Sequence, residues 1–200
     1  HWMVHSFPTR RSSDLTWQPN IWVALGVGLA IPILGIVIAM KSRNWLVSLL
    51  GYLLVVCGLG AIIGPTVNLY QSGVIINALL ATAAVTIVMS IIGVAFPTLL
   101  LSWGGYLFGA LTVLVFVRFG QLIMAGFGVS DRLYDWPFID YAAALIFTLY
   151  IIYDWNRAVE LPKTLDNAVD SAVAIYLDIA NLFVTLLKIM GDSDSSSSSK

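Results

Sequence analysis

Charge is scarce in this chain: Lys, Arg, Asp and Glu make up 10% of its 200 residues, against 59% hydrophobic residues. A mean hydropathy of +0.90 lies far outside the range of a soluble globular domain of this length. The formal net charge of −1 leaves no basic surface for nucleic acid. Cysteine is nearly absent as well. The single Cys57 sits in an apolar run with no second Cys or His beside it, which excludes an intramolecular disulfide, offers no metal-ligand spacing and reads as packing. Neither a cofactor nor a resident metal is indicated. What remains is an integral membrane protein whose few charges have to be judged by where they fall.

The ends differ from the rest. HSFPTRRSSDL, His5 to Leu15, is polar and unpatterned, and the codons of a common short-read sequencing adapter spell those residues when read in frame. Residues 1–15 are therefore taken as an adapter-derived or non-native segment and excluded from fold reasoning, with His1, His5, Arg10 and Arg11 carrying no functional weight. The rival reading is a short native cytoplasmic head. At the other end GDSDSSSSSK is of low complexity, so residues 192–200 are expected to be a disordered Ser-rich tail.

Between these ends, residues 16–191 form an all-α, polytopic membrane helix bundle. Helices are the way to satisfy every backbone group inside lipid, and about 20 apolar residues cross a bilayer. Six runs qualify: Ile21 to Met40, Trp45 to Val67, Val74 to Phe96, Thr98 to Val117, Phe138 to Trp155 and Ala168 to Met190. Most of the connections are short, which makes consecutive helices antiparallel neighbours. Pro32 and Pro65 fall within spans, where neighbouring helices must satisfy the freed carbonyls. The pairs Gly60/Gly64 and Gly105/Gly109 have the spacing that permits close helix contact. Lys41, Arg43, Arg157 and Lys163 gather in alternate loops, against Arg132 and a snorkelling Arg118 on the other side, which places the KSRN loop in the cytoplasm.

Two carboxylates break the apolar pattern. In AIYLDIANLF, Asp178 belongs to a stripe Asn167, Ser171, Asp178, Asn181, Thr185 and Lys188 that keeps to one helix face. A mid-span aspartate costs about 2.5–3.5 kcal/mol on insertion scales and marks ion or proton pathways. Ser171, Asn181 and Thr185 then become pathway-lining candidates. The structural alternative is a protonated Asp178 acting as hydrogen-bonding glue. In LYIIYDWNR, Asp154 lies near the cytoplasmic end of the preceding span and shares a face with Tyr150 and Arg157. Alone it would read as a solvated helix-end residue. Since its span and the next are antiparallel, Asp154 and Asp178 are able to meet, and two carboxyls in contact at low dielectric share a proton, a pH-sensing and gating dyad without histidine. Lys41 and Arg43 end another span on the same side and are either its cationic latch or simple anchors. Asp140, at the start of its span, reads as an isolated helix N-terminal carboxylate.

LYIIYDWNRA followed by AIYLDIANLFVTLLKIMGD resembles the closing helix pair of Bax inhibitor-1-like proteins, the transmembrane Bax inhibitor motif family. GLGAIIGPTVNLY and INALLATAAVT look like that family's middle helices, so the resemblance covers roughly residues 20 to 191. The family has seven helices; six are counted here, and the adapter reading implies that the first has been cut off. The resemblance implies a proton-sensitive calcium leak in the inner (plasma) membrane, with Asp154 and Asp178 as the paired aspartates. It also implies a latch cation at Lys41 or Arg43, with calcium and protons as permeant or titrating ions passing near the dyad and lipids as surroundings. The chain lacks the acidic residue that some bacterial relatives carry in the run Ile21 to Met40.

Two other classes compete. One is a non-conducting membrane regulator that binds a membrane protease or other partner. The other is an intramembrane aspartyl protease, for which Tyr153-Asp154 fits but Asp178 follows Tyr-Leu instead of Gly-x-Gly. The expectation is a channel and not an enzyme.

Overall fold

The computed structural model describes residues 21–42, 44–128 and 136–198. The segment 1–15, Arg43 and Arg132 lie outside them. Six α-helices follow in order among the described residues: α1 (Ile21–Lys41), α2 (Trp45–Val67), α3 (Ser72–Ala95), α4 (Gly104–Gly126), α5 (Pro137–Glu160) and α6 (Leu165–Ser198), with a 3₁₀ turn at Leu101–Trp103 before α4. No strand occurs among the described residues. Helices α2 to α6 are each long and apolar enough to cross a membrane, and α1 is apolar over Ala30–Lys41. The chain is a multi-pass membrane protein.

The breaks have local causes. Asn44 caps α2, its Oδ1 accepting from the Leu46 N–H at 3.0 Å, and so turns the chain within a few residues of α1. Pro137 opens α5 at a position where its missing N–H costs nothing. Thr164 starts α6, its Oγ1 accepting from the Asn167 N–H at 3.2 Å.

Helix α6 is the hub, packing against α1, α2, α3 and α5. The pair α1/α2 is drawn together by small residues. A Cβ on Gly35 would lie 2.6 Å from the Gly51 carbonyl oxygen, one on Gly51 2.6 Å from the Ala39 N, and one on Gly58 2.6 Å from Pro32 Cδ. Pro32 thus sits against a glycine of the neighbouring helix. This corrects the expectation from spacing alone: Gly60, Gly64, Gly105 and Gly109 have open space where a Cβ would stand. A four-residue interval puts two glycines on one face, but nothing in it says that a helix lies opposite.

Two boundaries also move. The apolar run ending at Val117 stops because of Arg118, yet α4 continues to Gly126, since the guanidinium finds a carboxylate within the bundle. Helix α6 continues through residues 192–198 to Ser198, where a Ser-rich disordered tail is expected from composition. Ser193 Oγ donates to the Ile189 carbonyl at 2.9 Å, bonding back to its own helix.

Candidate functional site

Helices α5 and α6 carry nearly all the buried ionisable groups, at two levels. Near the C-terminal end of α5, Asp154 is 8% exposed, and Asp178 from α6 is 7% exposed. Their carboxyl groups face each other within hydrogen-bonding reach. The Asp178 Oδ2 atom is fully buried and receives no donor from any described N–H or hydroxyl. Tyr150, one turn before Asp154, stands close to both carboxyls.

A cavity of about 150 Å³ opens beside this pair, lined by Asp154, Arg157, Asp170, Ser171 and, from α1, Ile36 and Met40. Arg157 interacts with Asp154 and also with Asp170. Of the two latch candidates, Lys41 is exposed at the end of α1, and Arg43 is outside the described residues. The cation that the structure places at the dyad is Arg157, three residues after Asp154 and so one helical turn away. Asp170, five helical turns before Lys188, stands at the edge of the same stripe, where its place beside the helix start hid it; its Oδ1 is buried with no hydrogen-bond donor among the described groups.

The remaining stripe residues are turned inward on their own helix. Ser171 Oγ donates to the Asn167 carbonyl at 2.8 Å, Asn181 Nδ2 to Leu177 at 2.7 Å and Thr185 Oγ1 to Asn181 at 2.8 Å. Thr185 is buried and Asn181 exposed, so they do not line one continuous channel wall in this state. Ser171 opens onto the cavity beside the dyad.

Side-chain hydrogen bonds fasten this end of the bundle. Asn156 is fully buried. Its Nδ2 donates to the carbonyls of Gly93 at 2.7 Å and Phe96 at 2.9 Å, while its Oδ1 accepts from the Leu100 N–H at 2.8 Å. One side chain therefore pins the α3–α4 turn onto α5. Ser48 Oγ donates to Asp166 Oδ1 at 2.7 Å, tying α2 to the start of α6. Neither residue stands out in the sequence, because Asn156 sits beside Arg157 and reads as part of a polar loop.

The opposite end overturns the expectation for Asp140. It is 2% exposed and not an isolated helix-terminal carboxylate. Arg118 from α4 pairs with its Oδ1, and Lys188 from α6 lies 3.2 Å from its Oδ2. Arg118 Nη1 also donates to Gln121 Oε1 at 3.1 Å. Arg118 and Lys188 are thus partners of one carboxylate, and three helices meet at it. The sequence carried a signal, a basic residue in each of two apolar spans, but only tertiary contact brings them to Asp140. Between the two polar levels lies an apolar cluster of Leu114, Ile139, Ala143, Phe147, Ile151 and Leu182.

These features define a polytopic helical membrane protein with a buried carboxyl pair on adjacent helices. The family described as "Inhibitor of apoptosis-promoting Bax1" matches residues 2–195, and the chain belongs to that Bax inhibitor-1 family. Among similar proteins, "Protein LIFEGUARD 3" of Arabidopsis thaliana is 38% identical over 87 residues, 44% of this chain and 33% of the relative. "Bax inhibitor 1" of Saccharomyces cerevisiae is 27% identical over 133 residues, 62% of this chain and 43% of the relative. An uncharacterized protein of Helicobacter pylori is 34% identical over 148 residues, 73% and 54% respectively. The match thus spans between a third and just over half of each relative's length.

Proposed function

We propose that the chain forms a pH-sensitive, calcium-permeable leak in an inner (plasma) membrane, gated by protonation of the Asp154–Asp178 pair. The observation that carries this reading is the buried contact of two carboxyls, one with a buried oxygen that no described hydrogen bond reaches. Such a pair cannot hold two full charges cheaply in a low-dielectric interior, so its proton count responds to pH. Arg157 is attracted to the ionised form. Acidification adds a proton, weakens that attraction and frees the ends of α5 and α6 to separate, so leak rises as pH falls. Lys41 and Arg43 are the alternative latch cations. Calcium is the transported ion and not a resident cofactor, and no catalytic role is assigned to either aspartate.

The second reading, a non-conducting regulator that docks a membrane protease or other partner, draws on a specific observation. The apolar cluster below the dyad and the self-bonded stripe close the route in this state. Calcium flux into proteoliposomes, followed between about pH 6 and 8, separates the two. A pH-dependent flux that Asp178→Asn flattens supports the leak. Absence of flux at every pH supports the regulator.

A further inference from the structure

Helices α2 and α3 are joined by a short turn and both pack on α6, yet they hardly touch each other. The gap between them is a lateral groove with α6 as its floor. Its outer part, a cavity of about 730 Å³ at the α5–α6 loop, is lined by Tyr52, Trp155, Lys163, Thr164 and Ala172. Its inner part, about 490 Å³, is walled by Ile63 of α2 and by Leu79, Ala83 and Ile87 of α3. Tyr176 and Ile179 line both parts, so one runs into the other. Tyr52 and Ile63, eleven residues apart, fall on one face of α2. From Ala172 to Phe183 the groove follows α6 for eleven residues, about 17 Å. That is close to one leaflet's share, about 15 Å, of the hydrocarbon core.

Charge is confined to the outer end. Lys163 is the one charged group lining either part among the described residues. Its Nζ donates to the carbonyls of Ala158 at 2.9 Å and Val159 at 2.7 Å. Those two bonds hold the ammonium at the mouth of the groove and leave its third N–H for another acceptor. A cation at the mouth, with an apolar trough one leaflet deep below it, complements a molecule that has a phosphate at one end and a hydrocarbon chain at the other. We propose that this groove is a phospholipid site, with one acyl chain seated on α6 between α2 and α3 and the phosphate held by Lys163. In a bilayer the chain leaves no water behind, so its gain is van der Waals contact on three sides of the groove. Lys163 fixes the head and adds about fivefold in affinity, the contribution of one lysine near a membrane surface. The site goes beyond the leak reading and does not rest on it.

The experiment is native mass spectrometry of the full chain in detergent, titrated with phosphatidylglycerol, with lysophosphatidylglycerol and with diacylglycerol. One phosphatidylglycerol per chain is expected, and the single-chain lysolipid should take the same place. Diacylglycerol, which lacks the phosphate, should bind about fivefold more weakly. Lys163→Gln should weaken phosphatidylglycerol by the same factor and leave diacylglycerol unchanged, while Lys163→Arg keeps wild-type binding. Ala172→Trp fills the outer part and should abolish the bound lipid. Ala83→Phe fills the inner part and gives the same answer if Ala172→Trp fails to fold. Val113→Trp, on an exposed face of α4 away from the groove, should bind lipid as the wild type does. Equal affinity for phosphatidylglycerol and diacylglycerol, or lipid retained by both filled variants, overturns the site. A dimer that Ala172→Trp dissociates also overturns it, because the groove is then the seat of a second copy of the chain.

Discussion

The two ends of the α5–α6 seam solve the same problem in opposite ways. At one end two carboxyls share a buried contact, with a single arginine nearby and two buried carboxylate oxygens, on Asp178 and Asp170, that no described donor reaches. At the other a single carboxylate is held by two cations. The first is under-satisfied, and the proposed response to pH rests on that. The second is paired by both cations. The backbone around each follows suit: Asn156 and Ser48 fix the dyad end through hydrogen bonds that leave its proton count free to change, while the ion pairs themselves join three helices at the other.

The largest expected effect breaks the sensing end. Asp154→Asn removes the partner of Arg157 and is expected to give high calcium flux at every pH. Asp178→Asn keeps shape and a hydrogen bond but ends carboxyl–carboxyl sharing, so flux should become flat between about pH 6 and 8 at a lower level. The sign follows from the proposed mechanism, in which protonation loosens the latch and raises leak toward acid. Proteoliposome flux checks both, and a pH profile surviving in either variant sinks the shared-proton mechanism.

Next comes the fastening of that end. Asn156→Leu strands the Leu100 N–H and removes a donor from two carbonyls, at an expected cost of about 3 kcal/mol in thermal unfolding. The loss should be insensitive to salt, because the site is fully buried and neutral. Gly51→Ala presses a methyl against the Ala39 backbone and should cost about 2 kcal/mol. At the ionic end Asp140→Asn should cost less, about 1–2 kcal/mol, because Arg118 and Lys188 are partly exposed and regain water. That cost should shrink as salt screens the two cations. A salt-dependent Asn156→Leu with a salt-independent Asp140→Asn would erase the distinction between the ends. The smallest effect is expected from Gly60→Ala, within about 0.5 kcal/mol, since the new methyl meets open space.

How much of this was legible in the residues varies with the kind of interaction. The spans were visible because hydrophobic run length is a local property that the bilayer demands of each segment separately. The aspartates at 154 and 178 were visible because a charge in an apolar run is conspicuous one residue at a time. Their meeting followed from antiparallel neighbours, which short loops enforce. Asn156 escaped because it opens the polar run that follows the apolar span although α5 continues to Glu160, and the end of α4 was misplaced because Arg118 was judged without its partner.

The sequence by itself determined that this is a helical, multi-pass membrane protein, where its main breaks fall and which carboxylates stand at membrane depth. These depend on period, length and composition, which are written along the chain. Tertiary structure alone decided that Asp140 is doubly paired and that Gly35, Gly51 and Gly58, and not the four-residue glycine pairs, draw helices together. Each of these depends on which helix lies opposite which. That is settled by the packing of whole faces, where many weak contacts compete at once, and no window of sequence contains both sides of such a contact.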